Sequence, residues 1–268
     1  MNGTEYRQSL LTRVMVVLAL LLAPTMSANA QVLSPDTTHF GKTYGEWSAA
    51  WWEWALSIPV HSPPFSQRIN HPLVDLTGVQ CGEGQSGPVW FLGGAFFETG
   101  TPALSTIVRN DCTVPESKAL FFPLLNVECT EVEGPLNGCG ATVQQSRDIV
   151  KFVIDLVANL AADVDGVPIE IGINSAFRVG SPDKPTFCVT LPPDDLLSFI
   201  GEGPSGFGSG THFSPGTSCS TVDDGYYVLL APLSAGPHTV HFHGEIPTFF
   251  FTLDVTYHLT VKSGRRNR

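Results

Sequence analysis

The sequence predicts a mainly β protein whose core is an antiparallel β-sandwich or a jelly roll, with two helices at about residues 44–58 and 146–162. Three observations lead to this fold class. The 268 residues include 26 Gly and 21 Pro, which favour short strands and turns over long helices. Residues 249–261 follow the two-residue period of a strand with one core face and one wet face. Six cysteines follow a secretory leader, which is typical of disulfide-stabilised β domains.

The N-terminus has the pattern of a signal peptide over residues 1–30. Arg7 and Arg13 precede an apolar run at 14–23, and a small-residue Ala-x-Ala site ends at Ala30. The apolar run is too short for a spanning helix, and no later segment is long and apolar enough. We therefore expect a mature chain that starts at Gln31, is secreted or periplasmic, and has no membrane span. Residues 31–262 are predicted to form a single β-rich domain, followed by a basic tail at 263–268.

All six cysteines lie after the predicted cleavage site, and an even number in an oxidising compartment suggests three disulfides. None forms Cys-x-x-Cys, so a zinc ribbon or a thioredoxin-like site is not supported. Fifteen pairings are open to six cysteines. The simplest prediction joins neighbours along the chain: Cys81 with Cys112, Cys129 with Cys139, and Cys188 with Cys219.

Charge and motifs narrow the function classes. The net charge of -11 disfavours nucleic acid as a partner, because the phosphate backbone requires clustered Lys and Arg. Residues 201–206 spell G-x-G-x-x-G, but no helix is predicted after them to receive a pyrophosphate. The chain contains no G-x-S-x-G elbow, which weakens an α/β-hydrolase hypothesis.

Residues 44–58 predict a helix that contains four of the five tryptophans of the chain. Trp47, Trp51 and Trp54 recur at three- and four-residue steps and so share one face. We favour a core role for this face, as a plug at the open end of the β-sheet core. Trp52 lies off the main stripe, so it is the candidate for an exposed ligand-binding residue that stacks on sugar rings.

The C-terminal third predicts three consecutive strands at residues 226–231, 238–243 and 249–261. In the middle strand Val240 and Phe242 face the core, which places His241 and His243 together on the outer face. Two histidines at i and i+2 on a strand are a common start of a copper or zinc site. A short hairpin places His243 opposite Phe250 and Asp254 diagonal to His241, within reach as a ligand. A further ligand would come from a loop, from His212, His61 or His71. Two solvent-facing histidines without a metal are the alternative that we favour.

Several segments resemble those of uncharacterised secreted bacterial proteins with a β-sandwich-like C-terminal half. They are GKTYGEWSAAWWEWALSIP, GPVWFLGG, KALFFPLLN, DGYYVLLAPLSAGPHTVHF and DVTYHLTV. The resemblance implies a secreted sandwich-like domain and brings no activity or catalytic residue with it.

Two functions follow as hypotheses from these observations. The first is a non-catalytic, disulfide-stabilised module that binds an extracellular ligand or surface, with a glycan or a metal as the ligand. The second is a secreted metal-dependent hydrolase or oxidase that uses His241 and His243, with copper or zinc as cofactor. A purely structural role in an envelope or matrix is a third alternative.

Overall fold

The structure is a computed structural model that describes residues 30–61, 68–101, 104–173, 175–180 and 185–264. The predicted signal peptide, apart from Ala30, and the end of the basic tail lie outside these residues. The helices are α1 (Tyr44–Ser57), α2 (Val143–Asp155) and α3 (Leu196–Phe199). The strands are β1 (Val89–Phe91), β2 (Thr106–Pro115), β3 (Ala119–Cys129), β4 (Ala158–Val164), β5 (Val167–Ile169), β6 (Arg178–Val179), β7 (Phe187–Leu191), β8 (Gly216–Leu230), β9 (Gly236–Ile246) and β10 (Phe251–Lys262).

The strands form two sheets, which confirms the predicted mainly β, sandwich-like fold. The first sheet has the order β1-β3-β8-β6, and β7 also pairs with β8. The second sheet has the order β2-β10-β9-β4-β5. Most pairs are antiparallel, as predicted, but β1 with β3 and β2 with β10 are parallel. These two parallel pairs join strands that are distant in sequence, which a pattern of local hairpins does not predict.

The main core lies between the two sheets and consists of alternate residues from both. Val240 and Phe242 of β9 are fully buried, as predicted, and Phe242 stacks on Phe122 of β3 with 5.1 Å between ring centroids. From β10, the predicted inward residues Val255, Tyr257, Leu259 and Val261 are all buried. The two-residue period of these strands therefore decides which side chains fill the sandwich.

A second core lies on the other face of the first sheet, under α1. Trp51 and Trp47 pack in the same cluster as Phe121 of β3 and Tyr227 of β8. The helix starts at a capping box, in which Thr43 and Glu46 satisfy each other's backbone N–H groups. The predicted core role of α1 is confirmed, but the helix covers a sheet face and does not plug an end of the sheet.

The predicted exposure of Trp52 is wrong. Trp52 is 2% exposed and packs edge-on against Trp51 with centroids 4.8 Å apart. The reason is that the Trp52 side chain lies beside Tyr227 of β8, so it also faces the first sheet although it lies off the main stripe. Glu53, the next residue in α1, is exposed.

The second predicted helix is shorter than expected, because α2 ends at Asp155 and residues 158–164 form a strand. Thr142, and not Ser146, caps α2 by accepting a hydrogen bond from the N–H of Gln145. The apolar residues after Asp155 continue a helical period, but pairing of β4 with β9 overrides it. Asn159 takes a left-handed backbone conformation at an irregularity in that pairing.

The three predicted disulfides are all confirmed: Cys81–Cys112, Cys129–Cys139 and Cys188–Cys219. The described residues contain no free cysteine. None of the helices in the described ranges combines the length and the apolar character needed to cross a bilayer.

Arg109 of β2 is a fully buried cation at the junction of several segments. Its Nε donates to the carbonyl of Asp75, Nη1 donates to the carbonyl of Gly93 and to the hydroxyl of Tyr257, and Nη2 donates to the carbonyl of Gly94, at 2.8–3.0 Å. The guanidinium also lies over the Tyr257 ring, 5.0 Å from its centroid. Backbone carbonyls and a phenol thus compensate the burial of this charge.

We expect Trp52→Ala to lower the free energy of unfolding by about 3–5 kcal/mol, because it removes a large, fully buried side chain. Glu53→Ala, an exposed neighbour in the same helix, should change it by less than about 0.5 kcal/mol. Urea unfolding of the two variants and the wild type measures both effects. Equal midpoints for Trp52→Ala and wild type would contradict the packing of α1.

Candidate functional site

An open cleft with a volume of about 650 Å³ lies between the two sheets and the loops around them. Its walls come from the segment at 94–101, from the middle of β3, from α2 and from the β9–β10 turn. The residues that line it are mainly apolar: Trp51, Gly94, Ala95, Phe96, Phe97, Glu98, Thr99, Gly100, Thr101, Pro123, Leu124, Leu125, Asn126, Val127, Val153, Ile200, Phe207, Ile246, Phe249, Phe251 and Leu253. A cleft of this size and composition is typical of small-molecule sites.

Local backbone features shape the walls of the cleft. The pairing of β3 with β8 is irregular between Pro123 and Leu125, and both residues line the cleft. Gly94 lies so close to β10 that a Cβ atom there would be 2.8 Å from Cδ2 of Leu253. Since Gly94 also accepts a hydrogen bond from Arg109, the buried cation positions this wall.

The polar lining of the cleft is sparse. It consists of Glu98, Thr99, Thr101 and Asn126, and Glu98 is the only charged side chain among the described lining residues. Asn126 Nδ2 donates to the hydroxyl of Tyr227 at 3.2 Å. The cleft thus offers several hydrogen-bonding groups but no basic residue for an anionic ligand.

The loop at 201–211 forms one wall and places Phe207 at the mouth. Three hydrogen bonds join it to the disulfide loop at 129–139. Asn137 Nδ2 donates to the Gly203 carbonyl at 2.9 Å, and the Gly203 N–H donates to Asn137 Oδ1 at 3.2 Å. The Phe207 N–H donates to the Leu136 carbonyl at 3.4 Å. The Cys129–Cys139 disulfide therefore also restrains the loop that carries Phe207.

Three carboxyl groups meet where these two loops join. Burial and the nearby Glu133 raise the pKa of Glu128 well above its usual range. Burial and repulsion from Glu202 do the same to the pKa of Glu133. Burial, followed by repulsion from Glu128, raises the pKa of Glu202 to about 7. The Glu133 and Glu202 side chains share a hydrogen bond, which requires a proton on one of them.

We expect this cluster to make the folded protein less stable as the pH rises. Folded Glu202 keeps its proton up to about pH 7, whereas the unfolded chain releases it near the ordinary glutamate pKa of 4.5. The stability that this carboxyl contributes is therefore fully present below pH 4.5 and is lost as the pH rises through 7. Between pH 4.5 and 8, the free energy of unfolding of Glu202→Gln should fall less than that of the wild type, by on the order of 2–3 kcal/mol.

Denaturant unfolding across that pH range measures the effect. Glu131→Gln is the matched control, because Glu131 is an exposed carboxyl in the same disulfide loop. Parallel stability curves for wild type and Glu202→Gln would contradict the expectation.

The predicted metal ligands His241, His243 and Asp254 lie together on the outer face of the second sheet. Nε2 of His241 is 3.4 Å from Oδ1 of Asp254, and Nδ1 of His243 is 3.5 Å from Oδ2 of Asp254. The other ring nitrogens face Asp163 at 2.9 Å and Glu245 at 3.2 Å. Each imidazole nitrogen thus has a carboxylate oxygen within 3.5 Å.

The predicted hairpin register is wrong by four residues. Asp254 pairs with His243 directly, and Thr256 pairs with His241. The turn is longer than a tight hairpin, because Pro247–Phe249 form a 3₁₀ turn and Phe250 adopts a left-handed conformation before β10 begins. Phe249 and Phe251, which the alternation assigns to the core, are therefore exposed.

Across the described part of the chain, no group of three or more His, Cys, Asp or Glu side chains is arranged to hold a metal ion. In a metal site Asp254 would be a ligand together with the two ring nitrogens that it faces, and Asp163 and Glu245 would hold the other ring nitrogens. Copper or zinc at this position stays a prediction.

If His241 and His243 form a metal site, we expect the wild type to bind a transition metal stoichiometrically and the double variant His241→Ala/His243→Ala not to bind it. Binding should weaken in acid, because only a neutral imidazole donates a lone pair. Calorimetric titration with copper(II) and zinc(II) measures it, and His258→Ala is the control, since His258 is an exposed histidine on the adjacent strand. Equal weak binding by wild type and the double variant would remove the hypothesis.

A second groove of about 650 Å³ lies beside α1 and has a mixed lining that includes Lys42, Glu53 and Phe40. Trp47 and Trp54 also line it, but both are 6% exposed and donate their indole N–H to backbone carbonyls. Their ring faces are thus not presented as a platform for sugar rings. Trp52 does not line this groove or the apolar cleft.

Sequence reasoning missed the residues around the apolar cleft. The run Phe249, Phe250, Phe251 contained a signal, because three consecutive aromatic residues on a strand cannot all face one core. Glu98 and Phe207 carried no such signal, since their place depends on loops folded over both sheets.

Comparison with known proteins gives this chain no relatives: no protein-family model, no curated protein and no solved structure matches it significantly. The resemblance to secreted bacterial proteins therefore stays a prediction.

Proposed function

We propose that this protein is a non-catalytic, secreted or periplasmic module that binds a neutral apolar ligand in the cleft. The observation that carries the proposal is the open cleft of about 650 Å³, whose walls are apolar and whose described lining includes no basic residue. Three disulfides support an oxidising compartment outside the cytoplasm.

The lining also limits the chemistry of the ligand. An anionic ligand such as a fatty-acid carboxylate would meet Glu98 and no compensating cation. A neutral head group with hydroxyls could exchange hydrogen bonds with Asn126, Thr99 or Thr101. A ligand with an apolar chain and an uncharged polar end therefore fits best, and monoacylglycerols are a simple example of this class.

The alternative function, a metal-dependent hydrolase or oxidase, depends on His241, His243 and Asp254 alone. The approach of both histidines to within 3.5 Å of Asp254 supports it. That cluster lies on the outer face of the second sheet, and none of its residues lines the apolar cleft. The metal titration described above tests it separately.

We expect the wild type to bind the neutral fluorescent probe N-phenyl-1-naphthylamine, and monooleoylglycerol to displace the probe at lower concentration than oleate. Val153→Trp should weaken probe binding at least tenfold, because Val153 lines the cleft and an indole there would fill part of it. Fluorescence titration measures the affinities.

Phe152→Trp is the matched control. It places the same indole on the adjacent residue of α2, which is 58% exposed and does not line the cleft. Equal probe affinity in Val153→Trp and Phe152→Trp, with both variants folded, would contradict the proposed site.

A further inference from the structure

Four exposed phenylalanines surround the mouth of the apolar cleft, and we refer to them as the phenylalanine rim. Phe249, Phe250 and Phe251 come from the β9–β10 turn, and Phe207 comes from the loop at 201–211. Their exposed fractions are 50%, 98%, 44% and 64%. We infer that the phenylalanine rim docks this protein on a zwitterionic lipid surface, from which the cleft takes its apolar ligand.

The backbone conformation of Phe250 supports a functional reason for the exposure of its side chain. Phe250 has φ 52° and ψ 32°, a left-handed conformation that bulky residues rarely adopt. Its side chain gains almost no burial in return, since nearly all of its surface is in water. Strain and apolar exposure at one residue are both costs to the isolated chain, and insertion of the ring into lipid would compensate the exposure.

The lack of charged residues in the two rim segments indicates which type of lipid surface the rim binds. Residues 246–253 and 203–211 contain no Asp, Glu, Lys or Arg, and the chain as a whole has a net charge of -11. Anionic lipids attract proteins through clusters of basic residues, which both rim segments lack. An uncharged aromatic tip on an acidic protein instead matches a zwitterionic surface such as phosphatidylcholine, where insertion of apolar rings requires no electrostatic attraction.

The area of the rim does not favour a second copy of the chain as the partner. The exposed fractions correspond to about two and a half phenylalanine side chains, or roughly 500 Å². Stable protein interfaces bury roughly 800 Å² on each partner. The rim falls short of that area, whereas a protruding ring needs only a few ångströms of depth in a bilayer interface.

The position of the rim connects docking with the proposed function, on which this part of the inference rests. Phe207, Phe249 and Phe251 line the cleft as well as its mouth. An apolar chain that leaves a lipid surface between them would remain in contact with aromatic side chains until it reaches the cleft. Transfer would thus avoid exposing the chain to water.

Phe250→Asn tests the inference, because asparagine tolerates the left-handed backbone and should leave the free energy of unfolding equal or higher. We expect co-sedimentation with phosphatidylcholine vesicles to fall at least tenfold in this variant. Phe40→Asn is the matched control, since Phe40 is also left-handed at φ 51° and 43% exposed but lines the groove beside α1. It should bind these vesicles within twofold of wild type. Phosphatidylglycerol vesicles should bind no better than phosphatidylcholine vesicles.

The outcomes separate this inference from the proposed function. Wild type that binds N-phenyl-1-naphthylamine but not phosphatidylcholine vesicles would overturn the inference and leave the proposed function in place. Vesicle binding that Phe250→Asn lowers, without any probe binding, would contradict the proposed function and keep the docking surface. A wild-type dimer in analytical ultracentrifugation that Phe250→Asn converts to a monomer would identify a second copy as the partner and overturn the inference.

Discussion

Burial of the first sheet on both faces is the constraint on which the other elements depend. Every residue of β8 from Thr221 to Leu230 is buried, and so are the first seven residues of β3. A sheet in this position needs an apolar layer on each side. The second sheet forms one of these layers and α1 forms the other, which explains why a helix with four tryptophans belongs to an otherwise β-rich fold.

Arg109 connects this layered core to the cleft. Its guanidinium donates hydrogen bonds to the carbonyls of Gly93 and Gly94 and to the hydroxyl of Tyr257. The Tyr257 hydroxyl in turn donates to the Gly93 carbonyl at 2.9 Å. Because the charge is fully buried, loss of any one of its four acceptors would leave an N–H group of the cation without a partner. The segment that begins the cleft wall is therefore held to β10 by a network and not by apolar contact alone.

Different interactions hold two of the walls of the cleft. The β3 wall belongs to the doubly buried sheet, whereas the wall at 201–211 is held by the Asn137–Gly203 pair and by a proton shared between Glu133 and Glu202. This hydrogen bond raises the pKa of Glu133 and lowers that of Glu202, so Glu133 donates the proton.

The sequence alone predicted the fold class, the inward faces of β9 and β10 and the core role of α1, and the simplest of fifteen cysteine pairings was the one observed. These features depend on local periodicity and on short separations along the chain, and a two-residue or 3.6-residue period is visible without coordinates. Local patterns also produced the errors. The helical period beyond Asp155 continued into β4, and the alternation in 249–261 concealed a turn at Phe250.

Only the tertiary structure decided the register of His241 and His243 against Asp254, the burial of Trp52, and the existence of the cleft. Register depends on the length of a turn, and a 3₁₀ turn with a left-handed residue has no unambiguous sequence signal. The burial of Trp52 depends on how α1 packs on the first sheet, where its side chain lies beside Tyr227. The cleft requires Gly94, Pro123, Phe207 and Phe251 to meet, although they are distant in sequence, and only the packing of two sheets brings them together.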